Sequence, residues 1–230
     1  MYPKGLYSFF LFLLCNFGIN AQKNTTEISF QLLYNTVPLE LGQSYPISGR
    51  DSLKIDFLKF YVSNITFFKD GKQIGKSTEK YHLIDAQNSS LYRTSYTVKN
   101  KKFDTIKFTI GLDTKTQKKG IQGGVLDPTT RMYWTWQNGF INFKIEGSSR
   151  LCNTRKNKFQ FHVGGFQEPY NTTQVLSLAC VASKSLTIDV DIASFFNVVS
   201  LSKTNTVMSP NKNAVMVSKV LATLFSIHEN

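Results

Sequence analysis

Imidazole is a frequent side-chain ligand for transition metals, and the chain offers three: His82, His162 and His228. Sulfur suits a softer, reduced ion, and Met132, Met208, Cys152 and Cys180 supply it. His162 stands out because it lies in Phe159-Gln160-Phe161-His162-Val163-Gly164-Gly165. On a strand it faces away from Phe159, Phe161 and Val163, so core filling does not account for it. No His-x-His pair or methionine-rich tract is present, so spacing alone defines no metal site. Trp134 and Trp136 are the only tryptophans and flank Thr135. A continuous strand sends both to one face, as a packing layer or as a patch open to oxidation. Asp113, Asp127 and Glu146 offer carboxylates for acid–base work or calcium, yet near turns such groups usually bond backbone N–H. The chain has no Gly-x-Ser-x-Gly elbow, no His-Glu-x-x-His and no phosphate-binding glycine loop, and it is not expected to be an enzyme.

The elements expected to hold these residues are strands. Of 230 residues only 18% are charged, while 13% are aromatic, and Thr, Ser, Asn and Phe outweigh strong helix formers. Apolar runs at 53–68, 81–84, 103–110, 140–145, 159–163, 175–180 and 186–192 have strand length and turn signals between them. Asp70-Gly71 between apolar stretches marks a hairpin. These features predict an all-β fold, an antiparallel β-sandwich in one domain over residues 22–230. Ser209-Pro210 reads as a helix start, and Val217, Leu221, Leu224 and Phe225 recur at helical spacing, with His228 on the same face if the helix persists.

The first 21 residues read as an address. One lysine, an apolar run from Leu6 to Cys15 and a small residue at Ala21 form a secretory signal peptide, too short to span a bilayer. The mature protein is then periplasmic or secreted, with no transmembrane segment. Two cysteines remain in an oxidising compartment, and an even pair favours a Cys152–Cys180 disulfide over a thiolate metal site. The net charge of +12 could attract polyanions, but the lysines cluster in turn-like stretches without a nucleic-acid-binding motif. Nucleic acid is not the expected partner.

A larger pattern runs through the middle. Leu58-Lys59-Phe60-Tyr61-Val62-Ser63-Asn64-Ile65 is followed by Leu83-Ile84-Asp85, and later by Gly111-Leu112-Asp113 and Val125-Leu126-Asp127-Pro128. Then come Met132-Tyr133-Trp134-Thr135-Trp136-Gln137-Asn138-Gly139-Phe140, Lys144-Ile145-Glu146-Gly147, the His162 segment and Val207-Met208-Ser209-Pro210. This constellation resembles the MbnP-like family of exported bacterial proteins, named after a partner encoded with methanobactin, a copper-scavenging peptide. The resemblance implies copper as the bound ion and a tryptophan oxidised to kynurenine at the site. It also implies a dihaem partner enzyme of the MauG type that performs the oxidation. On that basis His162 is the expected copper ligand, with Trp134 or Trp136 beside it as the modified residue and a second ligand from His228 or a methionine.

Two readings of different classes follow. One is an exported copper-binding protein that stores the ion or hands it on. The other is a metal-free exported β-sandwich that binds a protein or glycan.

Overall fold

The structure is a computed structural model describing residues 25–47, 49, 51–77, 79–97 and 102–228. The expected signal peptide lies outside the described residues. In chain order the strands are β1 (Thr25–Tyr34), β2 (Val37–Pro38), β3 (Ser44–Pro46), β4 (Ser52–Lys69), β5 (Lys72–Lys76), β6 (Tyr81–Asp85), β7 (Arg93–Thr97) and β8 (Thr105–Ile110). There follow helix α1 (Thr114–Lys119), β9 (Tyr133–Thr135), β10 (Gly139–Ser149), β11 (Lys158–Gly164), β12 (Gln174–Ala179) and β13 (Ser185–Asp191). Helix α2 (Ile192–Val198), β14 (Thr206–Val207), α3 (Lys212–Leu221) and β15 (Phe225–Ile227) complete the chain.

Two curled sheets enclose one main core, so the all-β, sandwich-like expectation holds. The larger sheet runs β12-β8-β4-β10-β11-β14, and the smaller runs β15-β13-β1-β2. Alternation puts Ile28, Phe30 and Leu32 of β1 and Leu186, Ile188 and Val190 of β13 against Phe60, Phe108, Phe143 and Phe161 of the larger sheet. Phe60 stacks on Phe143 at 5.3 Å and meets Phe30 and Phe225 edge-on, geometries that aromatic quadrupoles favour. The sheets are mixed rather than wholly antiparallel. β1 pairs β13 in parallel and β11 pairs β14 in parallel, because these partners come from distant parts of the chain.

The strand that positions everything else is β4. It is interrupted twice, opposite Glu146–Gly147 of β10 and again around Asn64, whose φ of +54° marks the second irregularity. Each bulge flips the side chains that follow. Leu53 and Ile55 face the core, then Leu58, Phe60 and Val62 do, then Ile65 and Phe67. Between the bulges Lys59 and Tyr61 therefore point to the outer face of the sheet. The hairpin expected at Asp70-Gly71 joins β4 to β5, with positive φ at both turn residues.

Two sequence expectations need correction here. The last helix starts two residues later than Ser209 suggested, at Lys212. Asn211 is its N-cap, accepting the Ala214 N–H at 2.9 Å, while Pro210 packs against Gly165. The helix ends at Leu221, and the chain passes through a short 3-10 turn into β15, so His228 follows a strand and not a helical face.

The second correction is the disulfide. Cys152 and Cys180 are both free thiols. Cys152 follows β10 where Ser149 pairs Leu53, while Cys180 follows β12 where Ala179 pairs Thr105 and Thr105 pairs Phe68. The cysteines thus sit at opposite ends of β4, separated along that strand by roughly 50 Å if it were straight. Even strongly curled, that separation far exceeds the ~7 Å between Cα atoms that a bridge allows.

Candidate metal centre

The outer face between the bulges carries a row of charge across four strands. Lys59 pairs Asp85 of β6 and Lys144 of β10, and Lys144 pairs His162 of β11. All four are nearly buried, between 5% and 8% exposed. Lys59 Nζ lies 2.8 Å from Asp85 Oδ2. Glu146, one pleat along, receives a 2.6 Å hydrogen bond at Oε1 from His162 Nε2, with Lys144 Nζ 3.3 Å from the same oxygen. Arg131 approaches its other oxygen at 3.9 Å. The hydrogen bond from His162, with the Lys144 ammonium beside it, pulls the Glu146 carboxyl down to about 2. Burial pushes the Lys144 ammonium down. Phe57 lies under Lys59, Lys144 and Arg131, each about 5 Å from its ring centre.

An ionised Glu146 fixes the imidazole's tautomer. With Nε2–H directed to the carboxylate, Nδ1 carries the lone pair, and no protein group among the described residues bonds to it. A metal-binding histidine usually shows this arrangement, one nitrogen tied to a carboxylate and the other free. On the strand pattern His162 faces away from the core, where a residue is ordinarily replaceable at small cost. It does face away, but it is buried on the outer face, and its removal takes a partner from Glu146.

Trp134 comes to the same face of β11. A Cβ on Gly164 would stand 2.7 Å from the Trp134 six-membered ring, so the indole lies directly on that glycine. Gly164 and His162 alternate with core-facing Val163, which places the indole about 7 Å along the strand from His162. Trp134 Nε1 is buried and, among the described residues, has no hydrogen-bond partner. Trp136 differs: β9 ends at Thr135, and Trp136 stands in the turn at 80% exposure. Strand alternation therefore does not bring the two indoles together.

The expected second ligands separate just as clearly. His228 donates from Nδ1 to Asp189 Oδ2 at 2.8 Å. Asp189 alternates with core residues Ile188 and Val190, so this pair lies on the outer face of the smaller sheet. The core thus separates His228 from His162. Met132 is buried in a second apolar cluster with Tyr61, Leu126 and Phe140. Met208 is the one brought near. Val207 pairs Phe161 in parallel, so the next residue emerges beside His162, and it is 43% exposed. His82 pairs with Glu79 at 3.2 Å, away from the row. Asp113 and Asp127 do cap backbone turns, accepting from Thr116 and Thr129 N–H.

The sequence profile of the MbnP family matches residues 23–209. The chain belongs to the MbnP family. A solved structure of MbnP from Methylosinus trichosporium is similar in fold, with a TM-score of 0.64 at 14% identity, covering 84% of this chain and 86% of that one. No curated protein matches. The family match includes Trp134, His162 and Met208 and ends before His228.

Sequence reasoning missed Lys59 and Lys144. Their signal was a lysine inside an otherwise apolar strand run, which is costly unless the ammonium has a buried partner. Among the described residues no group of three or more His, Cys, Asp and Glu side chains is close enough to hold a metal. The residues of this face whose chemistry fits a soft ion are the His162 imidazole and the Met208 thioether, while the Trp134 indole N–H can only donate.

Proposed function

We propose that this MbnP family member is exported to the periplasm or beyond and binds copper, storing the ion or handing it on, without being an enzyme. The observation that carries the reading is the orphaned Trp134 N–H, on the face of β11 that also presents His162. His162 would hold copper through Nδ1, with Met208 sulfur as the soft companion. Trp134 is the indole assigned to conversion, because it lies at this face while Trp136 stands in solvent. Opening its ring to kynurenine replaces an unsatisfied indole by a ketone and an aniline, which can bind or orient a ligand. A dihaem enzyme of the MauG type would be the partner for that oxidation, as the family relation implies.

Protein purified from its native envelope tests this directly. Elemental analysis should find copper, and intact mass with peptide mapping should find modification at Trp134 and not Trp136. His162→Ala should lose the copper while remaining folded by circular dichroism, at a cost of about 1–3 kcal/mol from the partner taken from Glu146. Unchanged copper content in that variant removes His162 from the site. Copper-free protein with both indoles intact would instead favour the metal-free β-sandwich that binds a protein or glycan.

A further inference from the structure

The segment leading into Trp134 is held to the sheet from below by three side chains. Lys59 Nζ donates to the Thr130 carbonyl at 3.3 Å, Lys144 Nζ to the Arg131 carbonyl at 3.1 Å, and Tyr61 Oη to the Val125 carbonyl at 2.7 Å. Lys59 and Tyr61 alternate on one strand, and Lys144 is the cross-strand neighbour of Lys59, so the donors form a compact triangle. They meet residues 125–131, a stretch of two short 3-10 turns that pairs with no strand among the described residues, and they take its Val125, Thr130 and Arg131 carbonyls. Only Met132 and Tyr133 then separate this latch from Trp134. Both lysines are nearly buried, and apolar strand positions would have served packing better than ammoniums do.

Lys144 has a second task. Its ammonium meets Glu146 Oε1, the same oxygen that bonds His162 Nε2, while also binding the loop at Arg131. One side chain therefore ties the indole-bearing segment and the imidazole to a common carboxylate. We propose that Lys144, supported by Lys59 and Tyr61, is a positioning residue that seats the Trp134 indole on Gly164 in register with His162. This rests on the copper reading for its purpose, but the seating itself is independent of metal.

Trp136→Phe leaves Trp134 as the chain's single tryptophan, so the indole reports on itself. In that background, unmodified and metal-free, Lys144→Met should red-shift Trp134 emission and raise its acrylamide quenching constant about twofold as the segment opens locally. Lys144→Arg, which keeps the charge and can still donate, should restore much of the original emission. If Lys144→Met does not fold, Tyr61→Phe deletes only one oxygen and should produce a smaller change of the same sign. Emission and quenching unchanged in every folded variant would overturn the proposal, whatever copper does. The seating would also be refuted if Lys144→Arg loosened the indole as much as Lys144→Met. With seating lost in Lys144→Met, copper affinity measured by competition with a chromogenic cuprous chelator should fall about tenfold. An indole that loosens in a protein whose parent binds no copper would sustain the positioning role and defeat the copper reading instead.

Discussion

Glu146 is the residue on which the outer face converges, since one carboxylate answers His162, Lys144 and Arg131. Glu146→Gln keeps its shape but removes the charge, leaving the buried Lys144 ammonium with neutral oxygens only, an amide Oε1 and the Arg131 carbonyl. Breaking a buried pair from one side costs about 3–5 kcal/mol, and the 20% exposure of the Glu146 side chain argues for the lower end. Urea unfolding should therefore show a lower midpoint with an unchanged slope. The same change frees the His162 tautomer, so copper binding should weaken by about 10–100-fold, the usual penalty for losing a carboxylate behind a ligand. A variant as stable as the parent would mean that the row gains nothing from this charge. His162 and Trp134 were legible as types in an unusual motif. Their company was not, because a lysine in an apolar run announces a buried partner without saying which strand supplies it.

Strands are where sequence reading succeeded best and where its faces went wrong. Runs of Ile, Phe, Val and Tyr located β4, β8, β10, β11 and β13 to within a few residues, since burial and β-branching both favour them there. The bulges in β4 carry no such signature, yet they decide that Phe57, Lys59 and Tyr61 face outwards while Ile55 and Leu58 face in. Motif glycines proved to be about packing. A Cβ on Gly111 would overlap Asn142, and one on Gly139 would overlap Gln117, two members of a buried amide network that also takes in Thr172. A separate element-level contact gives a pH test. Asp104 ties the β4–β5 hairpin to β8 by accepting the Asp70 N–H at 2.9 Å and meeting Lys69 at 3.1 Å. The Asp70 backbone N–H, the Thr105 hydroxyl and the Lys69 ammonium together hold its carboxyl down to about 2, below the ordinary 3.8. A depressed carboxyl stabilises the fold above its unfolded value and loses that contribution as pH falls through the folded one. Hydrogen exchange at the Asp70 amide should accordingly lose protection between about pH 4 and pH 2 beyond its intrinsic pH trend. In Asp104→Asn that protection should be low throughout, with no acid transition of its own.

At the scale of the whole molecule, closure comes from pairings that no local pattern encodes. β1 lies beside β13 in parallel, joining Glu27 to Ser185, and β14 adds to β11 after the chain has formed α2, whose Phe195 and Phe196 pack on Phe161 and Phe159 of β11. Such contacts carry the ordering cost of long loops, which burial of the shared aromatic core offsets, so a sequence shows the core residues without the order of the strands. The cysteines follow from the same topology. An exported chain with two cysteines in its body reads as bridged, but the bridge would have to join opposite ends of the longest strand in the structure. Cys152 is fully enclosed in the main core, and Cys180 is half-buried with its thiol pushed up to about 11, chiefly by burial. Both act as small apolar side chains and neither is a ready nucleophile. Protein purified without reductant should therefore yield free thiol at both Cys152 and Cys180 once unfolded, with slow labelling while native. Adding reductant should leave the thermal midpoint where it was. A drop of several degrees on reduction, or a disulfide-linked peptide containing both residues, would require β10 and β12 to end side by side and so would refute the strand order of the larger sheet.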